Sequence, residues 1–140
     1  MPRILIATDS ERVLQQVTEA LGGEGVSFTI CSSGKDVAGA VKDKRPDIAV
    51  LDLQIGSMGG MAVTMTLRLE ESGGRLPHVP AIMLLDRRAD LHLARRSGAD
   101  GWLIKPLDSL RLRRAVKVVL DGGTFTEGLE TPAGVASTAG

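Results

Sequence analysis

Three charged residues in this sequence each follow or close a short apolar run with the composition of a β-strand. Asp9 follows the first run, Asp52 closes the third and Lys105 follows the fifth. Two carboxylates that lie close together repel each other unless positive charge neutralises them. Lys105 can supply part of that charge. Mg²⁺ can supply the rest, because it binds a few carboxylate and carbonyl oxygens and keeps its waters.

A group of this kind has a defined chemistry. A carboxylate beside a lysine and Mg²⁺ can attack a phosphoryl group and form an acyl phosphate, since the cations stabilise the phosphoryl oxygens. Taken singly, each of the three residues is more often a helix cap or a surface charge. Their convergence at one place in the fold would make a binding site the better interpretation.

Strand-like and helix-like segments alternate along the chain and would position these residues. The apolar runs lie at residues 4–7, 26–31, 47–52, 80–85 and 101–104, and helical spacing follows each of them. Five β–α repeats predict an α/β fold, a doubly wound five-stranded parallel sheet with helices on both faces. In the common flavodoxin-like order 2-1-3-4-5, ligands bind beyond the carboxyl ends of the strands.

The third and fourth helices are also predicted from the spacing of apolar residues. Helical spacing places Met61, Met65 and Leu69 in one row of the third helix, and methionines in such positions most often fill loops and cores. The fourth helix is predicted to be short, covering about residues 89–97.

The composition limits the class of protein. Hydrophobic residues make up 43% of the chain and aromatic residues 2%, so the core must be aliphatic. Lys+Arg and Asp+Glu both number 17, and a net charge of zero does not indicate a nucleic-acid partner. The lone Cys31 excludes an internal disulfide and a cysteine-built metal site. No apolar run approaches the roughly 20 residues of a membrane span, so we expect a cytoplasmic protein with no membrane partner.

Basic residues are concentrated late in the chain. Residues 87–117 hold nine basic and three acidic residues. Two interpretations stay open at this point. The charges are either solvated faces of helices or a basic docking surface on the last two helices.

The motifs at the strand ends resemble those of a known family. Asp9 after strand one, LDLQIGSMGG around Asp52 and SGADGWLIKP around Lys105 are similar to the receiver domain of two-component response regulators. The resemblance implies that Asp52 is the phosphoacceptor and that Asp9, Asp52 and the backbone carbonyl of Gln54 bind Mg²⁺. It also implies that Lys105 contacts the phosphoryl group and that the Lys105–Pro106 peptide bond is cis.

The resemblance covers about residues 3–121, which agrees with a domain at residues 1–121. Residues 122–140 lack periodicity and are rich in Gly, Ala, Thr and Ser. They are predicted to form a flexible C-terminal tail or linker.

The resemblance also implies partners. The phosphoryl donor would be a sensor histidine kinase or a phosphotransfer protein, and the chain would have no enzymatic activity beyond self-dephosphorylation. The signal would pass to a downstream protein or to a second copy in a homodimer, without direct contact with nucleic acid. The expected interface is the face of helix four, strand five and helix five, with Trp102, Arg95, Arg111 and Arg114. Trp102 would be either an anchor for the partner or a half-buried strand residue.

Three features depart from the family pattern, and the least of them is Gly56, which stands where a proline is common. Thr8 stands where a second acid is usual, which should weaken metal binding. Leu84 or Leu85 stands where a hydroxyl usually contacts the phosphoryl group and couples it to the strand-five aromatic. Asp86 is interpreted as an acid at a helix entry in preference to a residue that reshapes the pocket. Thr8 and the Leu84–Leu85 pair favour an alternative function, a phosphorylation-independent module for protein interaction or dimerisation.

Overall fold

Five parallel strands form one sheet in the computed structural model, which describes residues 2–127. The strands are β1 (Arg3–Ala7), β2 (Ser27–Cys31), β3 (Ile48–Asp52), β4 (Ala81–Leu85) and β5 (Gly101–Ile104). Their order is β2-β1-β3-β4-β5, and every pairing is parallel. The predicted fold class is confirmed.

Helices follow the strands and cover both faces of the sheet. They are α1 (Glu11–Leu21), α2 (Val37–Lys44), α3 (Gly60–Ser72), α4 (Leu91–Ser97) and α5 (Ser109–Leu120). The α1 and α5 helices pack on one face, and α2, α3 and α4 pack on the other. None of the helices in the described part of the chain is long and apolar enough to cross a bilayer.

The core is aliphatic, as the composition predicts. The residues of β3 and β4 are all buried, because helices cover a parallel sheet on both sides. One core cluster lies under α1 and α5 and includes Ile6, Val50 and Leu84. This packing fixes the height at which the strands end and therefore the positions of the residues that follow them.

The α3 helix turns a different face to the core from the one predicted. Met65 and Leu69 are exposed, with relative accessibilities of 48% and 66%, whereas Val63 and Leu67 are buried. The cause lies at the start of the helix. A Cβ on Gly60 would lie 2.8 Å from the Asp52 carbonyl oxygen, so the helix enters against the end of β3 and its rotation is set there.

The region before α4 contains a helical turn that was not predicted as a separate element. A single turn of 3₁₀ helix, Arg88–Asp90, leads into the seven-residue α4. The Asp90 carboxylate accepts a hydrogen bond from the Arg87 backbone N–H at 3.2 Å. Asp90 therefore serves as the acid at the helix entry, the role that the sequence assigned to Asp86.

The chain after α5 turns back along the sheet. Gly122, at φ +93°, reverses its direction, and Phe125 forms a parallel bridge with Gly101 of β5. Residues 122–127 thus differ from the predicted flexible tail, and residues 128–140 lie outside the described residues. The Lys105–Pro106 bond, at the end of β5, is cis as the resemblance implied.

Candidate functional site

The ends of β3 and β5 bring an acid and a base into direct contact. Asp52 is the last residue of β3, and its side chain is 3% exposed. The Lys105 Nζ atom donates a hydrogen bond to Asp52 Oδ1 at 3.0 Å. A buried carboxylate at the end of β3 therefore contacts a lysine that follows β5, two strands away in the sheet.

Two further donors fix the Asp52 carboxylate. The Thr8 hydroxyl, itself buried, donates to Asp52 Oδ2 at 2.8 Å. The Gln54 backbone N–H donates to Asp52 Oδ1 at 3.2 Å. The Thr8 oxygen also accepts from the Ser10 backbone N–H at 3.1 Å, so the hydroxyl proton is directed at Asp52. Sequence reasoning treated Thr8 as a lost acid and missed this contact, which its hydrogen-bonding side chain at a strand end could have indicated.

Asp86 belongs to the same cluster. The Lys105 Nζ atom also donates to Asp86 Oδ1 at 3.0 Å, so one ammonium group is shared between two carboxylates. The Asp86 side chain is 36% exposed, far more than that of Asp52. Asp86 thus reshapes the charge of the pocket, which was the less favoured interpretation of the sequence.

The shared contacts keep Lys105 charged. Burial alone would lower the pKa of the Lys105 ammonium, but the hydrogen bonds and charges of Asp52 and Asp86 outweigh burial and raise that pKa. Lys105 therefore carries its positive charge throughout the physiological pH range.

Asp9 lies at the exposed side of the site. Its Oδ2 atom accepts a hydrogen bond from the Gly56 backbone N–H at 3.0 Å. A Cβ on Gly56 would lie 3.2 Å from the same oxygen, so a glycine at this position allows the close approach. The contact ties Asp9 to the loop that carries Gln54.

The oxygen ligands present fit Mg²⁺. Asp9, Asp52 and the Gln54 carbonyl would supply the hard oxygen atoms that this ion prefers, and Mg²⁺ commonly keeps several waters. Among residues 2–127 no group of three His, Cys, Asp or Glu side chains converges at metal-binding distance. A magnesium ion here would therefore depend on two carboxylates, one carbonyl and water.

The end of β4 offers no hydroxyl to this pocket. Leu84 pairs with Asp52 across the sheet, and both Leu84 and Leu85 are fully buried. Leu84 packs in the core under α1 and α5, whereas Leu85 packs with Trp102 on the opposite face. Both side chains thus contribute to packing and cannot donate a hydrogen bond to a phosphoryl oxygen.

The residues expected on the partner face divide into two groups. Arg95 and Arg114 are exposed. Trp102 is only 5% exposed, and its indole N–H donates to the Glu127 carbonyl at 2.9 Å. Arg111 is bound to the Glu127 carboxylate. Trp102 is therefore neither an exposed anchor nor a half-buried residue, because the chain after α5 covers it. Glu127, which holds that covering segment in place, lies in the part of the chain that was predicted to be a tail.

Comparisons with known proteins place this chain in a family. The family model described as the response regulator receiver domain matches residues 4–117. The DNA-binding response regulator MtrA of Mycolicibacterium paratuberculosis is 32% identical over 120 residues, which are 84% of this chain and 51% of that protein. The chain thus spans about half the length of this curated relative.

Two other relatives are similar to this chain over most of their length. Protein PilH of Pseudomonas aeruginosa is 27% identical over 122 residues, covering 87% of this chain and all of that protein. The signal receiver domain of a signal transduction histidine kinase from Syntrophus aciditrophicus superposes with a TM-score of 0.76 at 25% identity. That superposition covers 87% of this chain and 92% of the other.

Proposed function

Because this chain belongs to the response regulator receiver domain family, we propose that it serves two-component signalling by accepting a phosphoryl group on Asp52. The observation that carries the proposal is the contact of 3.0 Å between Lys105 Nζ and the buried Asp52 carboxylate. Burial strengthens the electrostatic attraction within this pair relative to water. A carboxylate beside a fixed cation is the arrangement that phosphoryl acceptance requires.

The reaction would transfer the phosphoryl group directly from the donor to Asp52. An Asp52 oxygen attacks the phosphorus of a phosphohistidine on a sensor kinase or phosphotransfer protein. The new O–P bond forms as the P–N bond breaks, and the imidazole leaves with the electron pair and takes up a proton. The Lys105 ammonium then neutralises charge on the phosphoryl oxygens. Mg²⁺ held by Asp9, Asp52 and the Gln54 carbonyl would add further positive charge at the same place.

The remaining contacts orient the nucleophile. Thr8 holds Oδ2, while Lys105 and the Gln54 N–H hold Oδ1. Positioning of this kind reduces the entropy that must be lost on the way to the transition state. The chain is therefore proposed as a phosphoacceptor, with at most hydrolysis of its own acyl phosphate as an activity.

Substitution of the acceptor tests the proposal. Asp52→Asn should abolish acid-stable but base-labile labelling of the chain by acetyl phosphate and Mg²⁺. The matched control is Asp43→Asn, an exposed aspartate on α2, which should label like the wild type. Labelling that persists in Asp52→Asn would exclude Asp52 as the acceptor.

A second function is favoured by one observation. Leu84 and Leu85 are both buried, so phosphorylation lacks a hydroxyl through which to act on β5. The chain could then bind a protein partner, or a second copy, independently of phosphorylation. This alternative predicts equal affinity for the partner with and without beryllofluoride and Mg²⁺, whereas phosphorylation-dependent signalling predicts a difference.

A further inference from the structure

The outer edge of β5 is covered by the chain itself. β5 is an edge strand of the sheet, and edge strands present backbone N–H and C=O groups that can pair with another chain. The Trp102 backbone N–H donates to the Phe125 carbonyl at 2.8 Å, and the Phe125 backbone N–H donates to the Asp100 carbonyl at 3.2 Å. We call residues 123–127 the C-terminal strap.

A single acid fastens the end of the strap. The Glu127 carboxylate accepts from the Ile104 backbone N–H at 3.0 Å and from Arg111 Nε at 2.6 Å, and a second guanidinium nitrogen of Arg111 binds its other oxygen. Burial alone would raise the pKa of the Glu127 carboxyl, but the hydrogen bonds from Arg111 and Ile104 lower it. The guanidinium is itself oriented by the carbonyl oxygens of Ile104 and Pro106.

Two glycines make room for the strap. A Cβ on Gly101 would lie 2.8 Å from the Phe125 carbonyl oxygen, so any other residue at this position would push Phe125 away. Gly122 adopts a positive φ, a conformation that glycine reaches at little cost. The edge of β5 and the turn after α5 are thus both shaped to receive an extended segment.

We propose that the β5 edge together with Arg111 is a docking groove for an extended, acid-bearing segment of a partner protein, and that the strap occupies this groove in cis. The groove offers backbone amides of Trp102 and Ile104 for strand addition and a guanidinium fork that binds a carboxylate through two hydrogen bonds. The strap shows the ligand chemistry that fits. The proposal extends the proposed function, since the groove lies on the face expected to bind partners.

The short connection makes the strap a strong competitor. A tethered segment of this length has an effective concentration on the order of millimolar or more. A partner segment must therefore bind more tightly than the strap, or the strap must first be weakened. The groove would then select partners by the position of their carboxylate relative to the paired backbone.

Amide hydrogen exchange on the full-length chain provides the first test. In Glu127→Gln, the Trp102 and Ile104 amides should exchange about tenfold faster than in the wild type, because a charge-assisted contact is weakened. The Lys105 amide, which donates to Leu85 within the sheet, is the internal reference and should not change. Glu24→Gln, at an exposed turn, is the matched control. Unchanged exchange in both Glu127→Gln and Gly101→Ala would overturn the proposal.

Competition provides the second test. A fluorescent peptide with the sequence of residues 122–130 should bind Glu127→Gln about tenfold more tightly than the wild type. Adding Arg111→Ala to that variant should remove the gain. Equal binding to both chains, or binding to neither, would overturn the proposal, as would a wild-type dimer that exchanges straps. Neither test uses Mg²⁺ or a phosphoryl donor. Their results are therefore independent of whether Asp52 accepts a phosphoryl group.

Discussion

Two clusters in this molecule each join one basic side chain to two carboxylates, but they differ in geometry. At the strand ends, Lys105 is shared between buried Asp52 and more exposed Asp86. At the β5 edge, Arg111 is shared between partly buried Glu127 and more exposed Asp108. In each cluster one cation serves two carboxylates, one of which is better shielded from water than the other.

The difference between the clusters lies in the cation. An ammonium group is a compact charge that can contact either oxygen of a carboxylate and can move to a new one, whereas a guanidinium forms a planar fork that fits both oxygens at once. Lys105 contacts one oxygen of Asp52, and Arg111 contacts both oxygens of Glu127. The first arrangement suits a reactive carboxylate, and the second suits a structural contact.

Removal of Lys105 should give the largest effect. In Lys105→Met, Asp52 loses the cation that would stabilise the phosphoryl oxygens, and the labelling rate with acetyl phosphate should fall about a hundredfold. Lys42→Met, on the exposed side of α2, is the control and should label normally. A rate close to that of the wild type would show that the Lys105 contact is structural, and the contrast with Arg111 would be lost.

Removal of Arg111 should lower the free energy of unfolding and leave the phosphoryl labelling of Asp52 unchanged. Arg111→Ala leaves Glu127 without its bidentate partner, and the free energy of unfolding should fall by about 2 kcal/mol. Urea denaturation measures the change. Arg114→Ala, an exposed arginine of the same helix, should change stability by about 0.5 kcal/mol or less. Similar losses in both variants would mean that the contact with Glu127 contributes nothing specific.

Asp86→Asn should have a smaller effect in the opposite direction. The substitution removes a negative charge beside Lys105, so a phosphoryl donor meets less repulsion and the ammonium is directed wholly to Asp52. The labelling rate should rise about threefold, the change expected for a partly exposed charge a few ångströms away. Slower labelling would instead show that Asp86 positions Lys105 for the reaction.

The pH dependence of the strap should be the smallest effect. The folded-state pKa of Glu127 is lowered, so its contribution to stability is complete above the ordinary glutamate pKa of about 4.3. That contribution is lost as the pH falls through the lower folded value. The difference in unfolding free energy between wild type and Glu127→Gln should therefore shrink below about pH 4. A difference that stays constant down to acid unfolding would contradict this account.

The sequence predicts the sheet well because the signal is local. Apolar runs such as residues 47–52 specify strands. Their alternation with helices predicts a parallel sheet, and Asp52 and Lys105 then lie at the carboxyl ends of its strands. Family motifs then add the expected role of each residue. These features depend on composition and spacing along the chain.

The remaining features depend on contacts that spacing does not encode. The rotation of α3 is set by the approach of Gly60 to the end of β3, so the row of Met65 and Leu69 predicted the wrong face. The strap has no periodicity, and its position follows from the hydrogen-bonding needs of an edge strand. Glu127 lies 16 residues from Arg111, and nothing in the spacing of the two marks them as a pair.

Titration with beryllofluoride and Mg²⁺ tests the central claim most directly, with Trp102 fluorescence and the Lys105 amide resonance as signals. We predict a saturable change that requires both ligands and disappears in Asp52→Asn. Trp102 is the sole tryptophan of the chain, so its emission reports on β5 and the strap alone. No change in the Lys105 resonance at millimolar Mg²⁺ would contradict the claim that Asp52 accepts a phosphoryl group beside Lys105.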